Sequence, residues 1–69
     1  METLFPARLK ELRKEKALSQ KALAKIIGTT DDSIYSWERG RSQPSIEYIK
    51  LLCNALETSA DYLLGICDE

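Results

Sequence analysis

The chain contains no histidine, only two cysteines and few residues that break helices. Three glycines and two prolines in 69 residues are too few for an all-β chain, which must turn about every ten residues. Two cysteines without a histidine cannot complete a tetrahedral zinc site, and they do not make a disulfide framework. The composition therefore predicts an all-α protein that holds no metal.

Long hydrophobic runs are also missing. No apolar stretch approaches the roughly 18 residues of a membrane span, and the first residues lack the apolar segment of a secretion signal. We therefore expect no membrane association and a reducing, cytoplasmic environment. The length predicts one domain over residues 1–69. Its small core leaves no room for a large cofactor or a pocket for a small-molecule substrate, and no glycine-rich phosphate loop is present, so we expect no catalytic residues.

Charge is unevenly distributed along the chain, although the net charge is only −1. Nine of the ten lysines and arginines lie between Arg8 and Arg41, where they face five acids. The two ends hold one lysine and six acids. This distribution, with a basic middle and acidic ends, indicates that the folded protein has an asymmetric charge distribution with one basic region. Apolar residues make up 43% of the chain, which argues against disorder.

Capping and helix-stopping residues divide the chain into five short segments with helical spacing of apolar residues. Helices this short are marginal alone, so we expect a compact, orthogonal five-helix bundle around a shared core. The five predicted helices extend over approximately residues 5–16, 20–27, 31–39, 46–56 and 60–64. The residues expected to face inward are Phe5, Leu9, Leu12, Leu23, Ile26, Ile27, Ile34, Trp37, Ile46, Ile49, Leu52, Cys53, Leu56 and Leu63.

The segment over residues 20–37 has the spacing of two helices that cross at a tight turn. Ala24 is small enough to let the helices approach, and Gly28, four residues later, can adopt the positive φ that reverses the chain. Ile34 and Trp37 then lie on the inner face of the following helix. This arrangement favours a helix-turn-helix, whose second helix is presented outward.

The stretch LSQKALAKIIGTTDDSIYSWERG closely resembles the helix-turn-helix of phage repressor and Cro-type regulators. The resemblance extends from about Leu9 to Gly65, and its motifs are the LSQ opening, the AxxxG turn, the SIxxWERG helix, the PS cap and the SADYLLG end. It implies a lambda-repressor-like domain that binds double-stranded DNA. The implied function is a sequence-specific transcriptional repressor that binds a near-palindromic operator as a homodimer, without a cofactor.

The resemblance also implies roles for individual residues. Residues 30–39 resemble the recognition helix, which lies in the major groove. The expected base-reading residues are Asp31, Asp32, Ser33, Tyr35 and Ser36. The expected phosphate contacts are Gln20, Lys21, Thr30, Arg39, Gly40, Arg41, Ser42 and Gln43. Arg13 and Glu38 are expected to form a partly buried, bidentate ion pair.

A dimer interface is expected near the C-terminal end. The stretch of Tyr62, Leu63, Leu64 and Ile66 holds more large apolar side chains than one short helix can bury beneath itself. With Leu63 inward, Tyr62, Leu64 and Ile66 remain partly outward, and a clustered apolar patch marks an interface. Family members often pair through this end. The competing interpretation is that these residues cover the core of the monomer or pack on a further domain.

Asp31 and Asp32 occupy positions at which many relatives have amide side chains, which pair with adenine. Carboxylates accept a hydrogen bond from cytosine but repel phosphate. Two interpretations stay open: the acids read bases, or they favour the positive end of their helix. The acids and the mild net acidity also favour an alternative function, a protein-interaction module such as an antitoxin or anti-repressor.

Overall fold

Five helices follow one another from residue 5 to residue 63 in the computed structural model, which describes residues 4–66. They are α1 (Phe5–Glu15), α2 (Gln20–Ile27), α3 (Asp31–Glu38), α4 (Ile46–Leu56) and α5 (Ala60–Leu63). The expected all-α, five-helix architecture is confirmed. Helices α1, α3 and α5 each end one residue before the predicted boundary. The second cysteine, Cys67, lies outside the described residues.

Four of the five helices begin at a hydroxyl side chain. Ser19, Thr30, Ser45 and Ser59 each accept a hydrogen bond from the backbone N–H three residues later. This bond satisfies one of the N–H groups that a helix start leaves unpaired. Helix α1 has no side-chain cap, but Pro6 lies in its first turn, where the missing proline N–H removes one unpaired donor.

One hydrophobic core is shared by all five helices. Each helix contributes one side chain that is completely buried: Leu9, Leu23, Ile34, Leu52 and Leu63. Helices of four to eleven residues have little stability in isolation, so this common core holds them in place. The rest of the buried apolar set is Phe5, Ala24, Ile27, Trp37 and Leu56.

Two isoleucines expected in the core are exposed instead. Ile26 is 58% exposed and Ile46 is 79% exposed. In α2 the buried face is formed by Leu23, Ala24 and Ile27, and a helix of 3.6 residues per turn places Ile26 roughly 100° away from it. Ile46, the first residue of α4, lies similarly far from the direction of the buried leucines. The expectation of inward positions was therefore wrong for both residues.

Cys53 lies half-buried against the core. Burial raises the pKa of its thiol, which keeps the side chain neutral and suits a packing role. Among residues 4–66, no group of histidine, cysteine or acidic side chains is placed to hold a metal ion. Over the same range, no helix combines the length and the apolarity that crossing a bilayer requires.

Candidate nucleic-acid interface

The turn between α2 and α3 depends on the backbone conformation of Gly28. This residue has φ +81°, and its N–H donates to the carbonyl of Ala24 at 2.9 Å. The N–H of Thr29 donates to the same carbonyl at 2.9 Å. A Cβ at Gly28 would meet no atom within 4 Å, so the left-handed backbone, and not a lack of space, requires glycine here.

The inner face of α3 holds this helix on the core. Ile34 and Trp37 are buried, and the Trp37 ring packs at 49° on Tyr48 of α4, with the ring centroids 5.5 Å apart. Trp37 is thus a core residue, as expected, and not an exposed stacking surface. With these two side chains inward, the opposite face of α3 is presented to solvent.

The N-terminal tip of α3 uses two side chains to pair its backbone N–H groups. Thr30 Oγ1 accepts from the N–H of Ser33 at 3.2 Å and lies 3.1 Å from the Ser33 hydroxyl. Asp31 Oδ1 accepts from the N–H of Asp32 at 3.1 Å. Thr30 therefore caps one N–H, that of Ser33. The carboxylate of Asp32 is exposed and has no hydrogen-bond partner within residues 4–66.

Further along α3, an aromatic ring and a guanidinium group share the outer face. Tyr35 is 41% exposed, and the guanidinium carbon of Arg39 lies 5.5 Å from its ring centroid. Ser36 is half-buried. The outer face of α3 therefore changes from acidic at Asp32 to basic at Arg39.

The loop after α3 is closed by backbone hydrogen bonds. The N–H of Gly40 donates to the carbonyl of Trp37 at 3.2 Å, and the N–H of Arg41 donates to the carbonyl of Ser36 at 2.9 Å. These two N–H groups are thus already engaged within the protein. The exposed groups that remain for an anion here are the Arg41 guanidinium and the polar groups of Ser42 and Gln43.

A buried ion pair fixes the end of α3. Arg13 Nε donates to Glu38 Oε2 at 2.6 Å, and Arg13 Nη2 donates to Glu38 Oε1 at 3.1 Å. A third bond runs from Arg13 Nη1 to the carbonyl of Leu18 at 2.8 Å. The hydrogen bond to Glu38 raises the pKa of Arg13 above its ordinary value, so the guanidinium stays protonated. Arg13 and Glu38, the two residues expected to pair, thus join α1 to α3.

Gln20 connects this pair to the start of α2. Its Nε2 donates to Glu38 Oε1 at 3.2 Å, so Glu38 is held by two helices at once. The first turn of α2 and the end of α3 are therefore adjacent. Exposed Lys21 follows Gln20, and exposed Arg39 follows Glu38, which brings basic side chains to one end of α3.

The proposed dimer residues have unequal surroundings. Tyr62 is half-buried, because the guanidinium carbon of Arg8 lies 4.1 Å from its ring centroid and Arg8 Nη1 donates to its backbone carbonyl at 2.6 Å. Leu64 and Ile66 are exposed. Leu64 and exposed Ile46 line a groove of about 270 Å³. The full lining of this groove is Phe5, Pro6, Gly40, Ser42, Gln43, Pro44, Ile46, Ile49 and Leu64.

Comparison with known proteins places this arrangement in a family. Residues 9–63 match the model of the Helix-turn-helix family HTH_3, which is more than half of the 69 residues. The chain belongs to the helix-turn-helix family. Repressor protein C2 of Salmonella phage P22 is 38% identical over 61 residues, 88% of this chain and 28% of the repressor. The resemblance to phage repressors is thereby confirmed.

Solved helix-turn-helix structures have the same fold. The P22 c2 repressor in complex with synthetic operator 9T aligns with a TM-score of 0.86 at 36% identity, over 91% of this chain and 96% of that chain. SinR of Bacillus subtilis in complex with DNA aligns with a TM-score of 0.81 at 33% identity, over 87% of this chain and 97% of that chain. The chain spans only 28% of repressor C2 and 50–59% of four Bacillus subtilis regulators that it also matches.

Several features of this helix-turn-helix chain were not predicted from its sequence, among them two side-chain contacts and one groove. The stacking of Arg39 on Tyr35 has a local signal, since residues four apart are neighbours on a helix. The contact of Arg8 with Tyr62 joins residues 54 positions apart, and no local pattern points to it. The groove beside Ile46 is formed by the start of α1, the loop after α3, the first turn of α4 and Leu64 at the end of α5, and only the packed helices bring these parts together.

Proposed function

We propose that the chain is a sequence-specific DNA-binding transcriptional regulator, acting as one helix-turn-helix domain over residues 1–69. It represses by occlusion: the bound protein covers promoter DNA and excludes polymerase. It acts in the cytoplasm on double-stranded DNA, needs no cofactor and catalyses no reaction. The observation that carries this proposal is the likeness, over nine-tenths of the chain, to a phage repressor solved in complex with synthetic operator DNA.

The geometry of α3 supports the same function. A helix can enter the major groove of DNA when one face is anchored on a core and the other is exposed. Buried Ile34 and Trp37 anchor α3, and Glu38 locks its end to α1 and α2. We therefore propose α3 as the recognition helix. The proposed base-reading residues are Asp31, Asp32, Ser33, Tyr35 and Ser36.

Phosphate contacts set the register of the recognition helix on DNA. Exposed Lys21, Arg39 and Arg41 supply positive charge that would attract the DNA backbone. Gln20 has two roles in this proposal. It holds the recognition helix through its hydrogen bond to Glu38, and it lies at the N-terminus of α2, a favourable place for a phosphate anion. The proposed phosphate contacts are Gln20, Lys21, Thr30, Arg39, Arg41, Ser42 and Gln43. Gly40, which was also expected, is left out because its N–H donates to the carbonyl of Trp37.

We further propose a homodimer on a near-palindromic operator. One recognition helix reads only one half-site, and specific affinity needs a second copy one helical turn of DNA away. Leu64 and Ile66 are exposed apolar side chains, and Tyr62 lies beside them. Ile46 extends this apolar surface along the groove towards the loop of Gly40, so that a second copy there would lie close to the phosphate contacts.

Selection of bound DNA from a random duplex pool, followed by salt titration, tests the function. We expect enrichment of one half-site in two inverted copies, and a log–log salt slope of about −0.9 for each phosphate neutralised. A Lys21→Gln/Arg41→Gln variant should flatten the slope, whereas a Lys10→Gln/Lys50→Gln control with the same charge change should not. An unenriched pool with a slope near zero would contradict the proposal.

The same titration separates the alternative of a protein-interaction module. The exposed carboxylates of Asp31 and Asp32 are the observation that favours it, because acids repel phosphate. A protein that uses α3 to bind another protein would show little salt-dependent affinity for any duplex.

A further inference from the structure

The outer face of α3 carries one arginine whose guanidinium lies over an aromatic ring. The guanidinium carbon of Arg39 lies 5.5 Å from the ring centroid of Tyr35, within the range of a cation–π contact. The two residues are four apart, so their side chains are neighbours on the helix surface. Long side chains on a helix lean towards its N-terminus, and stacking on Tyr35 holds the guanidinium in that direction.

The N–H donors of the Arg39 guanidinium also have no acceptor within the described part of the chain. No carboxylate forms an ion pair with Arg39 within residues 4–66, and its neighbour Glu38 is already bound by Arg13 and Gln20. Asp31 and Asp32 lie at the opposite end of α3. Arg39 thus has its guanidinium over the Tyr35 ring and its N–H donors without a hydrogen-bond partner within residues 4–66.

We propose that Arg39, positioned by the ring of Tyr35, reads a guanine in the major groove of the bound DNA. This inference rests on the proposed function, and it gives Arg39 a sequence-specific role in place of a phosphate contact. The guanidinium edge matches O6 and N7 of guanine, which accept two parallel hydrogen bonds. A phosphate group can be approached by donors from many directions, whereas the O6 and N7 acceptors of guanine require the guanidinium edge in one orientation, which the contact with Tyr35 supplies.

Tyr35 acts in this arrangement as a positioning residue. Its ring face lies under Arg39, so its contribution is the orientation of the guanidinium. Phenylalanine keeps the ring and therefore the stacking, whereas leucine removes both. Comparison of Tyr35→Phe with Tyr35→Leu thus separates the ring from the rest of the side chain.

The test is selection from a random duplex pool with the wild-type chain and four variants, followed by measurement of Kd on the selected duplex and on each single-base-pair substitution. The variants are Arg39→Gln, Tyr35→Leu, Tyr35→Phe and Arg41→Gln. Arg41→Gln is the matched control, because it removes the same charge from an exposed arginine two residues away. All three positions are exposed, so the melting temperatures should stay near that of the wild type.

We expect Arg39→Gln to lose about tenfold or more of the preference for guanine at one base pair, and to favour adenine there. Tyr35→Leu should lower the preference at that same base pair by about two- to fivefold, and Tyr35→Phe should retain it. Arg41→Gln should weaken binding to all duplexes alike.

Three results would overturn the inference. If Arg39→Gln leaves the selected sequence unchanged and weakens all duplexes alike, Arg39 contacts phosphate only. If Tyr35→Leu changes a different base pair, or Tyr35→Phe loses as much preference as Tyr35→Leu, Tyr35 does not act by positioning Arg39. A wild-type chain that enriches no duplex overturns the proposed function together with this inference, whereas the first two results leave the proposed function intact.

Discussion

Arg13 and Glu38 form a bidentate, nearly dry ion pair between α1 and the last residue of α3. The two hydrogen bonds measure 2.6 and 3.1 Å, and the Glu38 side chain is only 2% exposed. A pair in this position ties the orientation of the outer face of α3 to the core. The face of α3 that we propose for DNA binding is therefore held in place by a buried ion pair that lies outside that face.

Removal of one partner of this pair should cost much of the stability of the chain. Arg13→Ala leaves the Glu38 carboxylate buried with only Gln20 beside it, and such a loss costs about 3–5 kcal/mol. For a domain of this size the melting temperature should fall by more than about 10 °C. Thermal or urea unfolding followed by circular dichroism measures the change.

Lys16→Ala is the matched control for Arg13→Ala. Lys16 caps the C-terminus of the same helix and pairs with Glu57, which is 71% exposed. An exposed ion pair contributes about 0–1 kcal/mol, so this variant should melt close to the wild type. Equal melting temperatures for Arg13→Ala and the wild type would show that the buried pair contributes nothing.

Arg41 should contribute to affinity without contributing to sequence preference. Its backbone N–H is engaged with Ser36, but its side chain is exposed in the loop after α3. Arg41→Ala should weaken binding to all duplexes and reduce the salt slope by about one. The control is Lys50→Ala, an equal charge change on α4. Identical slopes for wild type and Arg41→Ala would remove this loop from the DNA-binding surface.

The two acids at the tip of α3 should behave differently, although they are adjacent. Asp31 accepts a hydrogen bond from the backbone N–H of Asp32, whereas the Asp32 carboxylate is exposed and has no partner in the described part of the chain. Asp32→Asn should shift the preference at one base pair from cytosine to adenine, with about 1–3 kcal/mol at stake. Asp31→Asn removes the same charge and should raise affinity with a smaller shift in base preference, because Asp31 Oδ1 already accepts the N–H of Asp32.

Quantitative selection from a duplex pool measures both substitutions. Both variants should bind random DNA more tightly than the wild type, because each removes a charge that repels phosphate. Identical selected sequences for the wild type and Asp32→Asn would mean that Asp32 acts only as a charge at the helix end.

Local signals were sufficient to predict the helices and the turn. Hydroxyl residues at the caps, Gly28 and the spacing of Ile34 and Trp37 each act within a few residues, so the sequence itself displays them. The prediction of Ile26 and Ile46 as core residues failed because spacing places an apolar residue on a helix but does not show how wide the buried face is. That width depends on which neighbouring helix packs there.

Contacts between distant parts of the chain were harder to predict. The pair of Arg13 and Glu38 was expected from family resemblance, because nothing within α1 or α3 alone points to it. No sequence pattern predicts the contact of Arg8 with Tyr62, and this contact reduces the surface that we propose for dimerisation. It covers one face of the Tyr62 ring, so the apolar surface available to a second copy consists of Ile46, Leu64 and Ile66.

Dimerisation through the groove of Ile46 and Leu64 should therefore be sensitive to charge at Ile46. We expect weak self-association of the free chain, because the apolar surface is small, and two chains per operator duplex. Ile46→Glu should place a carboxylate on this surface and reduce the stoichiometry or the cooperativity on DNA. Ile26→Glu is the control, since Ile26 is an exposed isoleucine on α2, away from the groove. Sedimentation equilibrium with and without duplex measures both variants, and one wild-type chain per duplex at saturation would exclude the dimer.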